Sequence, residues 1–446
     1  MTDIIDELTW RGLIALSTDL DDLRKALDCE SVTFYIGFDP TAPGLHIGNL
    51  VQLLTMRRLQ LAGHRPIGLV GGATGLIGDP SGRSEERVLN PVDVVAEWVA
   101  HIRKEVERVL DFTPGPTGAI AVSNLDWTAD LSAIDLLRDI GKHFPVNQML
   151  GREVVKARLE QGGISYTEFS YQILQANDYL ELFRRHGCTL QIGGSDQWGN
   201  LVSGVDLIRR VTGSSVHAMA TPLITKPDGT KYGKTAAGAI WLSSELMSPY
   251  AFHQWWLNRT DAEMPGLLRV FSFASRAEIE ELEREIAERP AARAAQRALA
   301  DEVTRLIHGE AELAKATAAA RALFGQGDLR DLDEATLAAA IAAIPHAEVD
   351  QAVRHWVVPA DGEDGRREGS AAEGHQLSIA DLMAACGIVP SKSAARRAID
   401  EGGAYLNNVK VTNVEAVPEV GDFLHGKFLV LRRGRRTVGG IVRTGL

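Results

Sequence analysis

The chain has 446 residues, 45% of them hydrophobic and 24% charged, with a formal net charge of −12. That length exceeds what one hydrophobic core sustains, so two or three domains are expected, and the composition excludes collagen-like, fibrous and wholly disordered classes. The negative balance taken alone argues against a polyanionic partner, but net charge ignores how charge is distributed.

The opening MTDIIDELTW places acids where a secretory signal needs basic residues, so no export is expected. Cys29, Cys188 and Cys386 are too scattered for a disulfide framework or a zinc site, and the reading is a protein of the reducing cytoplasm. Residues 32–38 (VTFYIGF) read as a buried strand, DPTAPGLHIG as a Pro/Gly turn, and 49–62 as a helix stopped by Gly63. The apolar run LVQLLTMRRLQL in this helix is broken by Arg57 and Arg58 and falls short of the roughly 20 residues of a membrane span, so no membrane is expected. A second strand at 66–70 runs into GGATGLIGDPSG, followed by a helix with Asn90 as N-cap and Pro91 at its first position. AIAVSNL is a third strand, and 126–163 interrupts the alternation as a helical insertion. Ser165 and Glu168 form a capping box opening a helix that Gly187 ends; TLQIGG, another helix and HAMATPLI complete the sheet. The alternation predicts an α/β fold, a doubly wound parallel sheet.

Residues 248–356 are rich in alanine, glutamate and arginine at helical periodicity and read as an α-helical domain. Residues 359–376 contain no strong apolar anchor, and 357–376 read as a linker, leaving 1–247 as the first domain and 377–446 as a separate module. That module carries ten basic against six acidic residues, a balance of +4 on an acidic chain, as expected of a nucleic-acid-binding appendage.

Three features carry chemistry. His46 stands where the first strand meets its helix, between Gly44 and Gly48, at a helix N-terminus that favours phosphate; the ordinary alternative is a histidine capping a turn. KPDGTKYGKT brings Lys231, Lys234 and Thr235 together, a clamp for a polyphosphate or else a solvated turn. Tyr171, Gln175 and Asp178 fall at i, i+4 and i+7 on one helix face, which must meet a polar ligand if it faces the sheet and means nothing if it faces water. Just after it, TLQIGGSDQWGN offers glycines for close approach with Asp196 and Gln197 as polar groups.

FYIGFDPTAPGLHIGNL, GGATGLIGDPSG, TEFSYQILQANDYL, LQIGGSDQWGN and KYGKT, in this order, resemble the bacterial-type tyrosyl-tRNA synthetases, class I enzymes with a Rossmann-like catalytic domain. The resemblance covers almost the whole chain and extends to 377–446, which resembles an S4-like α+β RNA-binding module. It implies activation of L-tyrosine by ATP and transfer of the tyrosyl group to tRNA(Tyr). Carried over residue by residue, it implies that Tyr35 and Asp178 hold the substrate phenol and that Asp79, Tyr171 and Gln175 bind its ammonium, while Gln197 and Gln191 complete the amino-acid contacts. Gly37, Asp39, Thr41, His46, Gly48 and Asn49 face ATP, Thr41 and His46 meeting its γ-phosphate, and Gly194 and Asp196 meet the ribose. Arg83, Arg87, Lys231, Lys234 and Thr235 form the clamp on the leaving pyrophosphate, Mg2+ enters with ATP, and no metal is held by the protein. Lys392, Arg396 and Arg397 contact tRNA, and 126–163 resembles the segment that makes a homodimer interface.

The chain departs from the family pattern in places. Asn49 replaces a second histidine, Ile36 stands where some relatives carry a thiol, Arg83 replaces a common lysine, and KYGKT departs from the general class I KMSKS. Two rivals remain: a tryptophan enzyme of the same fold, disfavoured by Tyr35 and Asp178, and a purely RNA-binding scaffold, disfavoured by His46, Lys231 and Lys234.

Overall fold

The structure, a computed structural model, describes residues 3–81, 90–160, 162–225, 239–350, 352–358, 367–372 and 375–445. It has two compact units: 1–234 with 239–246 and 259–295, and 235–238 with 247–258 and 296–446.

The first unit is built on six strands, β1 (Leu16–Ser17), β2 (Thr33–Phe38), β3 (Arg65–Val70), β4 (Ile120–Ser123), β5 (Cys188–Gly194) and β6 (His217–Thr221), in the order β1-β6-β5-β2-β3-β4. All neighbours run parallel except β1, which edges β6 antiparallel. β2 buries Phe34, Tyr35, Ile36 and Phe38, the near-continuous apolar run of a strand covered on both faces. From β2 the chain winds outward through β3 and β4, then returns to the other side with β5 and β6, so strand order reverses between β2 and β5.

Helix Ile47–Leu61 follows β2 and ends before Gly63, whose φ of +104° suits glycine. Helix Tyr166–His186 is capped by Ser165 and closed by Gly187 in the left-handed region. The helix after the glycine-rich turn is Val92–Val109 with Pro91 at the N-cap and no side-chain cap, one position away from the expected Asn90 start. The insertion is six short helical pieces between Leu125 and Glu160, interrupted near Gly141, Pro145 and Gly151. Its last helix, Glu153–Glu160, is tied to helix Tyr166–His186 by a buried ion pair, Arg158 to Glu168 at 2.8 Å. Arg11 and Arg58 both donate to Ser272 O, with further bonds to Arg269 O and Val270 O, so two guanidiniums satisfy the last carbonyls of helix Met264–Phe271.

The second unit corrects the sequence-based boundaries. The stretch 248–356 is divided between the units, helix Pro249–Leu257 going to the second and helices Met264–Phe271 and Arg276–Glu288 to the first. It also ends in strands, β7 (His346–Val349) and β8 (His355–Val358), and the expected linker contains β9 (Arg367–Ser370). With β10 (Ala404–Leu406), β11 (Val409–Lys410), β12 (Phe428–Arg433) and β13 (Thr437–Arg443) they form one sheet, ordered β11-β10-β12-β13-β7-β8-β9. β7 pairs parallel with β13, and Leu337 and Ile341 pack in one core with Phe428, Val430 and Val438. The C-terminal module is thus continuous with the helices before it, because β7 to β9 supply its sheet edge.

Candidate active site

The carboxyl ends of β2 and β5 open into a cavity of about 290 Å3, the place where a sheet that reverses its strand order binds ligands. β2 and the turn beyond it contribute Tyr35, Gly37, Asp39 and Thr41; β5 and its turn contribute Gln191, Gly194, Asp196 and Gln197. His46, Gly48 and Asn49 enter from the start of helix Ile47–Leu61, and Asp79 from the turn after β3. Tyr171, Gln175 and Asp178 face inward from helix Tyr166–His186, so the polar stripe is turned to the cavity and not to water. Every described residue expected to contact amino acid or ATP lines this one cavity. Arg83, Arg87, Lys231, Lys234 and Thr235 lie outside the described residues.

At the deep end, Asp178 is buried and accepts hydrogen bonds from Trp127 Nε1 at 2.8 Å and Asn124 Nδ2 at 3.0 Å. Desolvation pushes its carboxyl up to about 7; the two donors pull it down, and Asp39 and Glu181 push it further up. Tyr35 is 1% exposed and its hydroxyl has no hydrogen-bond partner among the described residues. Burial, and then Asp178, hold that phenol well above its ordinary pKa, so it stays protonated and can donate. Gln52, Gln175 and Gln191 each present in the wall of the cavity an Oε1 that is likewise buried without a partner among the described residues. Each such atom costs about 1–3 kcal/mol until something supplies its partner.

Asp39 organises the middle of the site, accepting from Tyr171 Oη and Thr74 Oγ1, each at 2.7 Å. Thr74 in turn accepts from Asn124 at 2.9 Å, so one side-chain network links Asp39 to Asp178. Gly71 is required beneath it, because a Cβ there would lie 2.0 Å from Asp39 Oδ1. Asp79 accepts from Gln197 Nε2 and from Ser81 N. Asp39, Asp79, Tyr171 and the free Gln175 Oε1 make an acceptor-rich wall suited to an ammonium group.

At the mouth, His46 caps helix Ile47–Leu61: its Nδ1 accepts from Gly48 N at 3.0 Å, while Asn49 Oδ1 accepts from His46 N at 3.1 Å. The capping and ligand readings of His46 therefore hold together, since a neutral ring that accepts at Nδ1 carries its proton at Nε2. The described lining carries four aspartates, Asp39, Asp79, Asp178 and Asp196, and no lysine or arginine.

Sequence reasoning missed the supporting residues Thr74, Asn124 and Trp127, and also Gln52, whose Nε2 donates to Thr221 Oγ1 at 2.6 Å. Trp127 had been counted with the insertion. Its position just past the carboxyl end of a parallel strand was the available signal.

The profile of the family described as tRNA synthetases class I (W and Y) matches residues 27–325, and that of the tyrosine–tRNA ligase SYY-like C-terminal domain matches 367–438. The tyrosine–tRNA ligase of Streptomyces avermitilis is 59% identical over 447 residues, spanning 100% of both chains. That of Thermobifida fusca is 56% identical over 451 residues, spanning 99% of this chain and 100% of its own. A C-terminally truncated mitochondrial tyrosyl-tRNA synthetase of Aspergillus nidulans matches with a TM-score of 0.66 at 29% identity, over 72% of this chain and 94% of that one.

Proposed function

We propose how the cavity works from one premise: this chain belongs to the tyrosine–tRNA ligases, within the class I tRNA synthetases. The enzyme activates L-tyrosine with ATP, giving tyrosyl-adenylate and pyrophosphate, and then transfers the tyrosyl group to the 3′ end of tRNA(Tyr).

In our reading the substrate phenol lies between Tyr35 and Asp178, donating to the carboxylate and accepting from the Tyr35 hydroxyl. The observation that carries this is the buried Tyr35 hydroxyl, unpartnered in the same cavity wall as a carboxylate held by Trp127 and Asn124. The ammonium meets Asp79, Tyr171 and Gln175, and Gln191 and Gln197 border the rest of the amino acid. ATP enters at the mouth, faced by Gly37, Asp39, Thr41, His46, Gly48 and Asn49, with Thr41 and His46 at its γ-phosphate and Gly194 and Asp196 at its ribose.

A tyrosine carboxylate oxygen then attacks the α-phosphorus, forming the acyl-phosphate bond as the bond to pyrophosphate breaks. No side chain needs to act as nucleophile, so rate comes from alignment and from stabilising charge on the leaving group. Since the described lining is acidic, we assign the compensating positive charge to Arg83, Arg87, Lys231 and Lys234, with Thr235, and to Mg2+ arriving with ATP. Their described flanks, Asp79 and Leu223, line the cavity. Among the described residues no group of three His, Cys, Asp or Glu could hold a metal ion. A neighbouring cavity of about 490 Å3 shares Asp196 and is bordered by Arg152, Trp198 and Asn200, a route for the tRNA 3′ end to the adenylate.

For the rest of the tRNA we assign Lys392, Arg396 and Arg397, exposed on helix Lys392–Asp400. Lys392 is ion-paired with Asp381 and Arg396 with Glu415, so phosphate must displace an acid at both. Arg433, Arg435 and Arg436, exposed at the β12–β13 turn, add to this surface. We further propose a homodimer built on the insertion, where Ile134, Leu137 and Val146 are more than half exposed. A cytoplasmic location is proposed with it; no helix among the described residues is long and apolar enough to cross a membrane.

Exchange of labelled pyrophosphate into ATP tests the reading. Exchange should depend on tyrosine; dependence on tryptophan, or on no amino acid, would overturn it.

A further inference from the structure

We infer that Glu105 is a positioning residue for the ATP half of the reaction, holding the turn before His46 in register with the strand segment that follows the KYGKT motif. The inference rests on the reading that His46 faces ATP.

Glu105 belongs to helix Val92–Val109 and lines no part of the substrate cavity, yet its side chain is buried. Its Oε2 accepts the Leu45 N–H at 2.8 Å, and its Oε1 is buried with no hydrogen-bond partner among the described residues. Leu45 is a junction. Its carbonyl accepts Leu242 N at 2.9 Å, and Ile47 N donates to Ile240 O at 2.9 Å, which makes a two-bond antiparallel bridge with His46 opposite Trp241. The segment 240–242, whose first residue stands five positions beyond Thr235 of the KYGKT motif in sequence, thus pairs with the residues flanking His46.

The turn has little else to hold it. Among the described residues, the N–H groups of Ala42, Gly44 and Leu45 make one hydrogen bond, the one from Leu45 to Glu105. Gly44 allows the carboxylate in, since a Cβ there would stand 3.2 Å from Glu105 Oε1 and 3.1 Å from Leu246. A buried acid is an expensive way to satisfy one N–H, and an apolar side chain would fill the space without that cost. What the acid adds is a strong, directional acceptor on the residue next to His46. Glu105 touches neither substrate, so it acts through Leu45 on where the imidazole and the returning segment stand.

The test uses the full-length enzyme and its Glu105→Ala and Glu105→Gln variants, with ATP and tyrosine varied separately in pyrophosphate exchange and tyrosine affinity measured by calorimetry. Glu105→Ala should lower kcat/KM for ATP about fivefold or more, the scale for leaving a buried backbone donor without its acceptor, with tyrosine affinity changed less than twofold. Glu105→Gln, which keeps an acceptor, should recover most of the loss. The idea is overturned if ATP kinetics are unchanged in Glu105→Ala, if ATP and tyrosine suffer alike, or if Glu105→Gln is as poor as the alanine variant. Should Glu105→Ala not fold, Gly44→Ala, which crowds the same carboxylate, must give a smaller loss of the same ATP selectivity; a loss shared with tyrosine sinks the idea equally. A wild-type enzyme without tyrosine-dependent exchange would instead remove the reading on which the inference rests.

Discussion

Asp178 takes its proton-binding behaviour from its surroundings, and the consequence can be followed in pH. An unfolded aspartate releases its proton near 3.8, whereas the folded one holds it up to about 7. Between those values the native state binds more protons than the unfolded one, so this group's contribution to stability falls as pH rises and levels off above about 7. Asp178→Asn removes the dependence. Melting curves at pH 5 and pH 8 should therefore show the variant gaining on the wild type at the higher pH; an unchanged difference would show that Asp178 is already ionised at pH 5. A phenol donating to the carboxylate favours the ionised form, so tyrosine affinity in the free enzyme should rise with pH through about 7. The same substitution should cost tyrosine activation about 10- to 100-fold, the scale of a hydrogen bond to a charged group, and phenylalanine activation much less. Equal losses would mean that Asp178 does not read the hydroxyl. Among these residues, Tyr35, Tyr171, Gln175 and Asp178 were legible because they belong to recognisable blocks at helical or strand spacing. Thr74, Asn124 and Trp127 were not, because a supporting residue needs only to donate in the right direction. Two segments supply those donors, the one after β3 with Thr74 and the one after β4 with Asn124 and Trp127, and no spacing in the sequence links the two.

At the scale of elements, one cap and one stop were read correctly, while Asn90 gives way to Pro91 at the N-cap of helix Val92–Val109. Ser165 and Gly187 bound helix Tyr166–His186 as their side chain and backbone freedom require. Tertiary contacts were invisible, and the Arg158–Glu168 pair is the clearest case. It joins the last helix of the insertion to the helix that carries Tyr171 and Asp178. Arg158→Met should destabilise the protein by up to about 3–5 kcal/mol, because it removes one partner of a buried ion pair. The double variant Arg158→Met/Glu168→Leu should recover much of that, and denaturant unfolding of the three proteins checks both. The strands β8 and β9 escaped the sequence reading for another reason: Gly- and charge-rich chain surrounds them, and their pairing partners are each other and β7. Of the two only β9 is an edge strand, and its Arg-Glu-Gly-Ser sequence holds no apolar residue to mark it.

At the scale of the molecule, the insertion and the second unit each give a prediction. Ile134→Asp with Leu137→Asp should turn a dimer into monomers, seen by light scattering, while the sheet of the first unit keeps its melting behaviour. A dimer that survives both charges places the interface elsewhere. For the second unit, a cut at residue 377 looks harmless from the sequence. In the fold it removes β10 to β13 and uncovers Leu337, Ile341 and Val349. The shortened chain should therefore aggregate or melt early, whereas a severed linker would leave it as stable as before. The parallel alternation of the first unit was legible because each β-loop-α step is local. The second sheet was not, because its central contact joins strands far apart in sequence.

That central contact also sets an order of events during synthesis. β7 leaves the ribosome long before β13, its partner toward the middle of the sheet, and the apolar faces of helix Glu334–Ala342 wait with it. Such a distant pairing closes slowly and leaves an adhesive surface in the interval. The apolar face of helix Glu334–Ala342 therefore stays uncovered until the last strands of the chain have been made.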